Sequence, residues 1–210
     1  MDAFVEMAGF GTALAPPDVV ALDLSVRCPG GSVADALQSA DTGMHAILGL
    51  ARDGGLKPAE MQTTGASVYP QYDRDGSSIS GYVAQQSLRL RIRDRDQVGR
   101  LITAFSAAVG NALTIDNIAL QIEDTAPLVT EARRAAFADA ETKARQFAAL
   151  AGRALGQVLY VVDTPSGGGP VPVGGLARSK MAMDSYAGSM PVEMGENSVS
   201  AQVVVRWAWN

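Results

Sequence analysis

Between Val68 and Leu90 the chain reads VYPQYDRDGSSISGYVAQQSLRL, and Tyr69, Tyr72, Asp73, Arg74 and Asp75 stand close enough to supply the acid, base and anion-holding groups of one site. Such a site also needs a positioned nucleophile, a histidine or a metal. The single histidine, His45, falls in line with Gln38, Thr42 and Arg52, on the polar side of a helical pattern, and reads as solvated. No spacing of Asp, Glu, His or Cys matches a zinc or calcium site. The segment therefore reads as a strand ending at Tyr69-Pro70-Gln71-Tyr72, a turn from Asp73 to Ser78 in which Asp and Gly can take positive φ, and a second strand starting at Ser80-Gly81-Tyr82. Gly81 suits a bulge or a close backbone approach. The expectation is a hairpin, with no catalytic residue, cofactor or metal assigned.

Other stretches that could do chemistry fail on mechanism. GFGTALAPPD, Gly9 to Asp18, starts like a dinucleotide fingerprint, but Leu14 stands at the third glycine position and Pro16-Pro17 forbids the helix that should face a pyrophosphate. SGGGPVPVGG, Ser166 to Gly175, lacks the Lys-Ser/Thr of a phosphate loop and reads as a linker. Cys28, the one cysteine, excludes an intramolecular disulfide and reads as a packed residue. Arg89, Arg91, Arg93 and Arg95 make a basic stripe along the exposed side of a strand and its exit; it reads as an exposed sheet face balanced by acids such as Glu6 and Asp23. Met181, Met183, Met190 and Met194 surround Tyr186; they read as adaptable apolar contacts, with Cu(I) ligation through thioethers as the alternative.

The 210 residues carry a net charge of −5, which argues against a general affinity for nucleic acid or anionic membrane, and no apolar run reaches the ~20 residues of a bilayer span. The start MDAFVEMAGFG lacks a basic and an apolar leader region, so the chain as given reads as cytoplasmic, or as periplasmic or envelope-bound if a leader was removed.

Periodicity supplies the frame. Val19 to Arg27 alternates as a half-buried strand; Ser32 caps a helix with Val33, Leu37, Ala40, Met44, Ile47 and Ala51 on its apolar face; Met61 to Pro70 and Ile79 to Arg93 are strands. A helix from Asp96 to Val109 shows Val98, Leu101, Ile102 and Phe105, and Ile118, Leu120 and Ile122 mark another strand. This order is the split βαβ arrangement of ferredoxin-like sheets with helices on one face. A strand from Val5 to Ala13 is expected to pair with Val19 to Arg27. Asp124 or Thr125 caps a third helix, Pro127 to Ala151, with a stripe of Leu128, Ala132, Ala136, Ala140, Ala144, Phe147 and Ala151. Val158 to Val162 and Val199 to Trp207 are closing strands, and between them Pro165 to Asn197 is a Gly/Pro/Met-rich excursion outside the sheet.

These segments resemble a family. GFGTALAPPDVVALDLSV, GGLKPAEMQTTGASVYPQYD, ISGYVAQQSLRLRIRDRDQVGRLI, EARRAAFADAETKARQFAALAGRALGQVLYV and PVEMGENSVSAQVVVRW resemble successive segments of SIMPL-domain proteins, the YggE-like oxidative-stress group, from about Gly9 to Trp207. Pro17-Asp18, Gln62-Thr63, Tyr69-Pro70-x-Tyr72, Gly81-Tyr82, the alanine-rich helix and Pro191-x-x-x-Gly195-Glu196 carry the likeness. It implies a non-enzymatic protein, in bacteria often exported to the periplasm or envelope, able to form ring-like or channel-like oligomers and linked to stress protection. It brings no agreed catalytic residues.

The expectation is one α+β domain over residues 1–210, a largely antiparallel twisted sheet with a ferredoxin-like split βαβ core and helices on one face, extended by the excursion 165–197. For function it is an oligomeric binding or scaffold protein, a homo-oligomer with room for a protein partner, with Met181, Met183, Tyr186 and Met190 as interface. No nucleic acid, membrane insertion or cofactor is expected. The alternative is a small-ligand binder or enzyme using a pocket near the 69–82 hairpin and the 165–197 loop.

Overall fold

The computed structural model describes residues 3–164, 171–173 and 195–210. In chain order its main elements are β1 (Phe4–Ala15), β2 (Val19–Gly30), α1 (Val33–Asp53), β3 (Met61–Tyr72), β4 (Ile79–Ile92), α2 (Arg95–Val109), β5 (Leu113–Gln121), α3 (Ala126–Leu150), β6 (Leu155–Thr164), β7 (Val171–Val173) and β8 (Glu196–Trp209). The architecture is α+β with antiparallel sheets, and it divides into two compact units. Asp18–Gln121 is the inner unit; the described residues before and after it form the flanking unit.

The inner unit is the expected split βαβ sheet, in the order β3-β4-β2-β5 with every neighbour antiparallel. Val20, Leu22, Leu24 and Val26 of β2 and Leu88, Leu90 and Ile92 of β4 alternate onto one face, where Met44, Ile47 and Ala51 of α1 and Val98, Leu101 and Phe105 of α2 complete a single core. Each such side chain, fully buried, contributes about 1.5–3 kcal/mol of transfer free energy before entropy is charged against it. The helix ends follow from local hydrogen bonding. Ser32 Oγ accepts from the Asp35 N–H at 3.2 Å, Asp94 Oδ1 accepts from the Asp96 N–H at 3.0 Å, and the Gly54 N–H closes α1 on the Leu50 carbonyl.

Two inner-unit details differ from the sequence reading. β2 does not break at Cys28 but runs to Gly30, pairing with β4 as far as Gly30↔Tyr82 while its pairing with β5 stops at Val26↔Leu113. Pro29 thus stands where the strand has one neighbour and needs no second ladder bond. On α1, Ala36 is buried in place of Val33 and Leu37, which are 42% and 39% exposed. A methyl group is what this turn can hold, because Gly30 and Ala36 come so close that a Cβ on Gly30 would lie within 3 Å of the Ala36 backbone.

The flanking unit overturns one pairing. β1 does not join β2; it pairs with β8 along its whole length, from Phe4↔Ala208 to Ala15↔Asn197, and β6 lies on the other side of β8. Physically, β1 offers Gly9 and Gly11 to a helix, and α3 supplies the matching surface of Ala132, Ala136, Ala140, Ala144 and Ala148. Val5, Ala13, Ala201, Val203, Val205 and Trp207 fill the rest of that core, with Phe137 tilted against Trp207 at 6.0 Å. Ala148, not Phe147, holds the last turn of the stripe, and Phe147 is exposed, as is Ala151. Asp124 makes the capping bond of α3, its Oδ1 accepting from the Ala126 N–H at 2.9 Å. Part of the expected excursion also belongs to the sheet: Val171–Val173 pairs with Glu196–Ser198.

Candidate functional site

The tyrosine-aspartate cluster is a hairpin. Asp73 is its organiser: the carboxylate accepts from the Ser77 N–H at 2.9 Å and from Ser78 Oγ at 2.6 Å, while the Asp73 N–H donates to the Ser78 carbonyl. Gly76 takes φ +69°, the left-handed conformation the turn demands. These hydrogen bonds, led by that of Ser78, hold the Asp73 carboxyl below the usual carboxylate range and leave it a structural acceptor. Tyr69 donates to Gln85 Oε1 at 2.6 Å across the ladder. Gly81 passes within 3 Å of the Gly30 carbonyl, measured from where its Cβ would stand, which is the close approach anticipated for it.

His45 lies on the exposed face of α1, its Nδ1 3.0 Å from the Asp41 carbonyl oxygen. Cys28 is half-buried against Ala36, Ala40 and Ala84, and burial pushes its thiol pKa up, away from the thiolate. Met181, Met183, Tyr186 and Met190 lie outside the described residues.

The arginine stripe is partnered residue by residue. Arg89 forms a two-pronged ion pair with Asp23, Nε to Oδ1 at 2.6 Å and Nη2 to Oδ2 at 3.0 Å. Arg91 donates to the Ala59 carbonyl at 3.0 Å, and Arg93 pairs with Glu60. The Arg89 hydrogen bond is the main cause of an Asp23 pKa below the ordinary range. Glu6 is not among the stripe's partners; it pairs with Arg206 of β8 at 2.8 Å in the flanking unit. Arg89 and Arg91, with Ala59, Glu60, Gln62 and Gln121, line a polar cavity of about 270 Å³. It lies at the start of β3, the far end of the β3–β4 ladder from the turn where a pocket was anticipated.

The two edges of the flanking sheet are treated differently. The outer edge of β1 is closed by α3: Asp139 Oδ2 accepts from the Phe10 N–H at 2.9 Å and Lys143 Nζ donates to the Ala8 carbonyl at 3.2 Å, while Asp139 and Lys143 pair with each other at 2.6 Å. Asp139 and Lys143 stand at i,i+4, the spacing of an ordinary solvated helix pair, and only the tertiary position of β1 reveals the second job. β6 has no such guard. Val158, Leu159, Tyr160 and Val161 are 43–52% exposed, and among the described residues no strand pairs with the outer side of β6. α3 packs on β1 and β8 and reaches β6 at Leu155 and through the ion pair of Arg133 with Asp163, leaving Val158 to Val161 uncovered.

The edge clasp makes a pH prediction. Lys143 first, then the Phe10 N–H, depresses the Asp139 pKa, so its contribution to stability is present above the unfolded-state value and disappears as pH falls through the lower folded-state value. Asp139→Asn should therefore destabilise the protein at neutral pH, and the gap between variant and wild type should close below about pH 4, read as denaturation midpoints across pH.

Comparison with known proteins agrees with this frame. Residues 5–207 match the family model SIMPL, a protein of unknown function. The chain is similar to the 26 kDa periplasmic immunogenic proteins of Brucella melitensis biotype 1 and Brucella abortus strain S19, 27% identical to each over 213 residues that cover 97% of this chain and 83% of the relative. With all but the outermost strand ends inside the match, the chain belongs to the SIMPL family.

Proposed function

We propose that this chain is a non-enzymatic scaffold or binding protein of the cell envelope whose copies associate with one another through the outer edge of β6. The observation that carries this reading is the contrast between the two sheet edges. An edge strand presents unpaired N–H and C=O groups, and soluble proteins block such edges with charge, proline or a covering element. β1 is blocked by Asp139 and Lys143. β6 reads LGQVLYVVDT, with one charge at Asp163 and no lysine, arginine or proline. An antiparallel two-fold pairing about Tyr160 would set Leu159 across Val161 and Val158 across Val162, apolar against apolar on both strands. The periplasmic relatives support the envelope placement. No helix of the described residues is long and apolar enough to cross a membrane. The methionine segment is proposed as a further contact surface.

Light scattering on the full chain tests this. The wild type should show a mass above that of one chain, and Leu159→Lys with Val161→Lys should lower it while thermal unfolding stays cooperative. A wild type that is a strict monomer at tens of micromolar would end the self-association reading.

A further inference from the structure

We infer that the Asp75-Gly76 step at the tip of the β3–β4 hairpin is a site of self-modification, where the aspartate closes to a succinimide and reopens as isoaspartate.

The sequence narrows the choice to two places. Ring closure joins an aspartyl side chain to the next residue's main-chain nitrogen, and glycine leaves that nitrogen open to approach because it has no Cβ. The chain holds two Asp-Gly steps, Asp53-Gly54 and Asp75-Gly76, and no Asn-Gly. All four residues are exposed, so solvent access does not separate the two steps.

Local restraint does separate them. At the end of α1 the Gly54 N–H donates to the Leu50 carbonyl at 2.9 Å, the Gly54 carbonyl accepts from Gln97 Nε2, and the Gly55 N–H donates to the Arg52 carbonyl at 2.8 Å. A Cβ on Gly54 would lie 3.0 Å from the side chains of Gln97 and Leu101, so α2 packs on this step as well. Turning it toward ring closure breaks these contacts together. Gly76 is held in the turn by its N–H on the Asp73 carbonyl at 3.1 Å, and no atom lies within 4 Å of where its Cβ would stand. Exposed turns of this kind open at low cost in free energy, whereas a helix end packed on a neighbour does not. Asp73 lies in the same turn, but Arg74 follows it with a side chain that crowds the nitrogen, and Ser77 and Ser78 hold its carboxylate.

The step needs no reagent but water. The Gly76 nitrogen attacks Cγ of Asp75, an N–Cγ bond forms, and the amide proton leaves with the carboxyl hydroxyl as water. Water then reopens the ring. Cleavage of the new N–Cγ bond restores aspartate; cleavage of the original bond to the Asp75 main-chain carbon sends the chain through Cβ and Cγ and leaves the α-carboxylate as the side group. The longer path cannot close the turn with the same bonds, which now include the Asp73 N–H on the Ser78 carbonyl.

Ageing of the full chain tests the site. The acid form of the carboxyl loses its hydroxyl more readily, so incubation at about pH 6 for several weeks hastens the step over neutral buffer. Chymotrypsin then releases Asp73 to Tyr82 as one peptide and Ala51 to Leu56 as another, and electron-transfer fragmentation marks isoaspartate by cleavage of its Cα–Cβ bond. In the folded protein Asp75 should carry about ten times the isoaspartate of Asp53 or more. In urea that unfolds the chain the two should agree within about threefold, because the restraint on Gly54 is gone. Asp75→Glu, whose ring would need a sixth member and closes far more slowly, should clear the signal from the turn peptide and leave that of Asp53 unchanged. Isoaspartate absent from Asp75, or no higher there than at Asp53 in the folded protein, would overturn the assignment. A preference for Asp75 that persists undiminished in urea would assign it to local sequence and overturn the role of the fold.

Discussion

Gly9→Ala and Gly11→Ala will each destabilise the flanking unit by about 3 kcal/mol or more, at or beyond the upper end of what overpacking by a single methyl group costs. The reason is what the new atom would meet. A Cβ at Gly9 would press on the Ala136 carbonyl and the Ala140 backbone and methyl; a Cβ at Gly11 would press on the Ala132 carbonyl and the Ala136 nitrogen. Most of these are main-chain atoms of a continuous helix, so no rotamer change can relieve the contact. The helix as a whole would have to retreat, and its alanines would lose contact with Val203, Val205 and Trp207 together. Both tryptophans of the chain, Trp207 and Trp209, sit in this unit, so their fluorescence reports its unfolding in denaturant. Ala140→Leu should fail in the same way from the helix side. Unchanged midpoints in both glycine variants would mean that α3 can lift off β1 without loss.

The same close packing explains which parts of the fold were legible in advance. The inner unit could be read because its strands and helices bury large side chains at regular spacing, and the order of elements then admits few topologies. β1 was misplaced because neighbouring strands in sequence are the natural first pairing, and its alternation of Val5, Gly9, Gly11 and Ala13 fits any sheet. Its real partner was written in residue size: two glycines spaced by two on a strand, and alanines every four residues on a helix, are complementary surfaces. The stripes went wrong for the same reason. In α1 the bulkier Val33 and Leu37 were assigned to the core, but Ala36 is buried; in α3 Phe147 was assigned, but Ala148 is buried. Where a helix lies close on a strand, the smaller of two candidate residues is the one that fits. The cavity was half legible, since the arginine stripe was visible, while its walls come from Gln62 and Gln121, far apart in sequence and brought together only by the register of β3 and β5 around β4 and β2.

The inner unit should respond in the opposite sense. Phe105→Ala is expected to cost about 3–5 kcal/mol, because the ring is wholly buried and its removal leaves a cavity among branched side chains. Leu22, Leu24, Leu88, Leu90 and Ile92 come from two adjacent strands locked by a long ladder, and Met44, Ile47, Val98 and Leu101 from helices capped at Ser32 and Asp94; none can move far to fill the space. Methionine at 105 would restore most of the volume with a flexible chain and should recover more than half of the loss. Amide hydrogen exchange on peptides from β2 and β4 reads this unit without tryptophan: protection should fall by at least two orders of magnitude in Phe105→Ala and partly return in Phe105→Met, the exchange equivalent of ~3 kcal/mol and its recovery. Equal protection in wild type and Phe105→Ala would show that the ring is not part of the cooperative core. The two units thus have opposite weak points, adding a methyl group at Gly9 or Gly11 and removing a ring at Phe105. The cause lies in how each helix meets its sheet, by close approach of alanine and glycine in one and by interlocking of large side chains in the other.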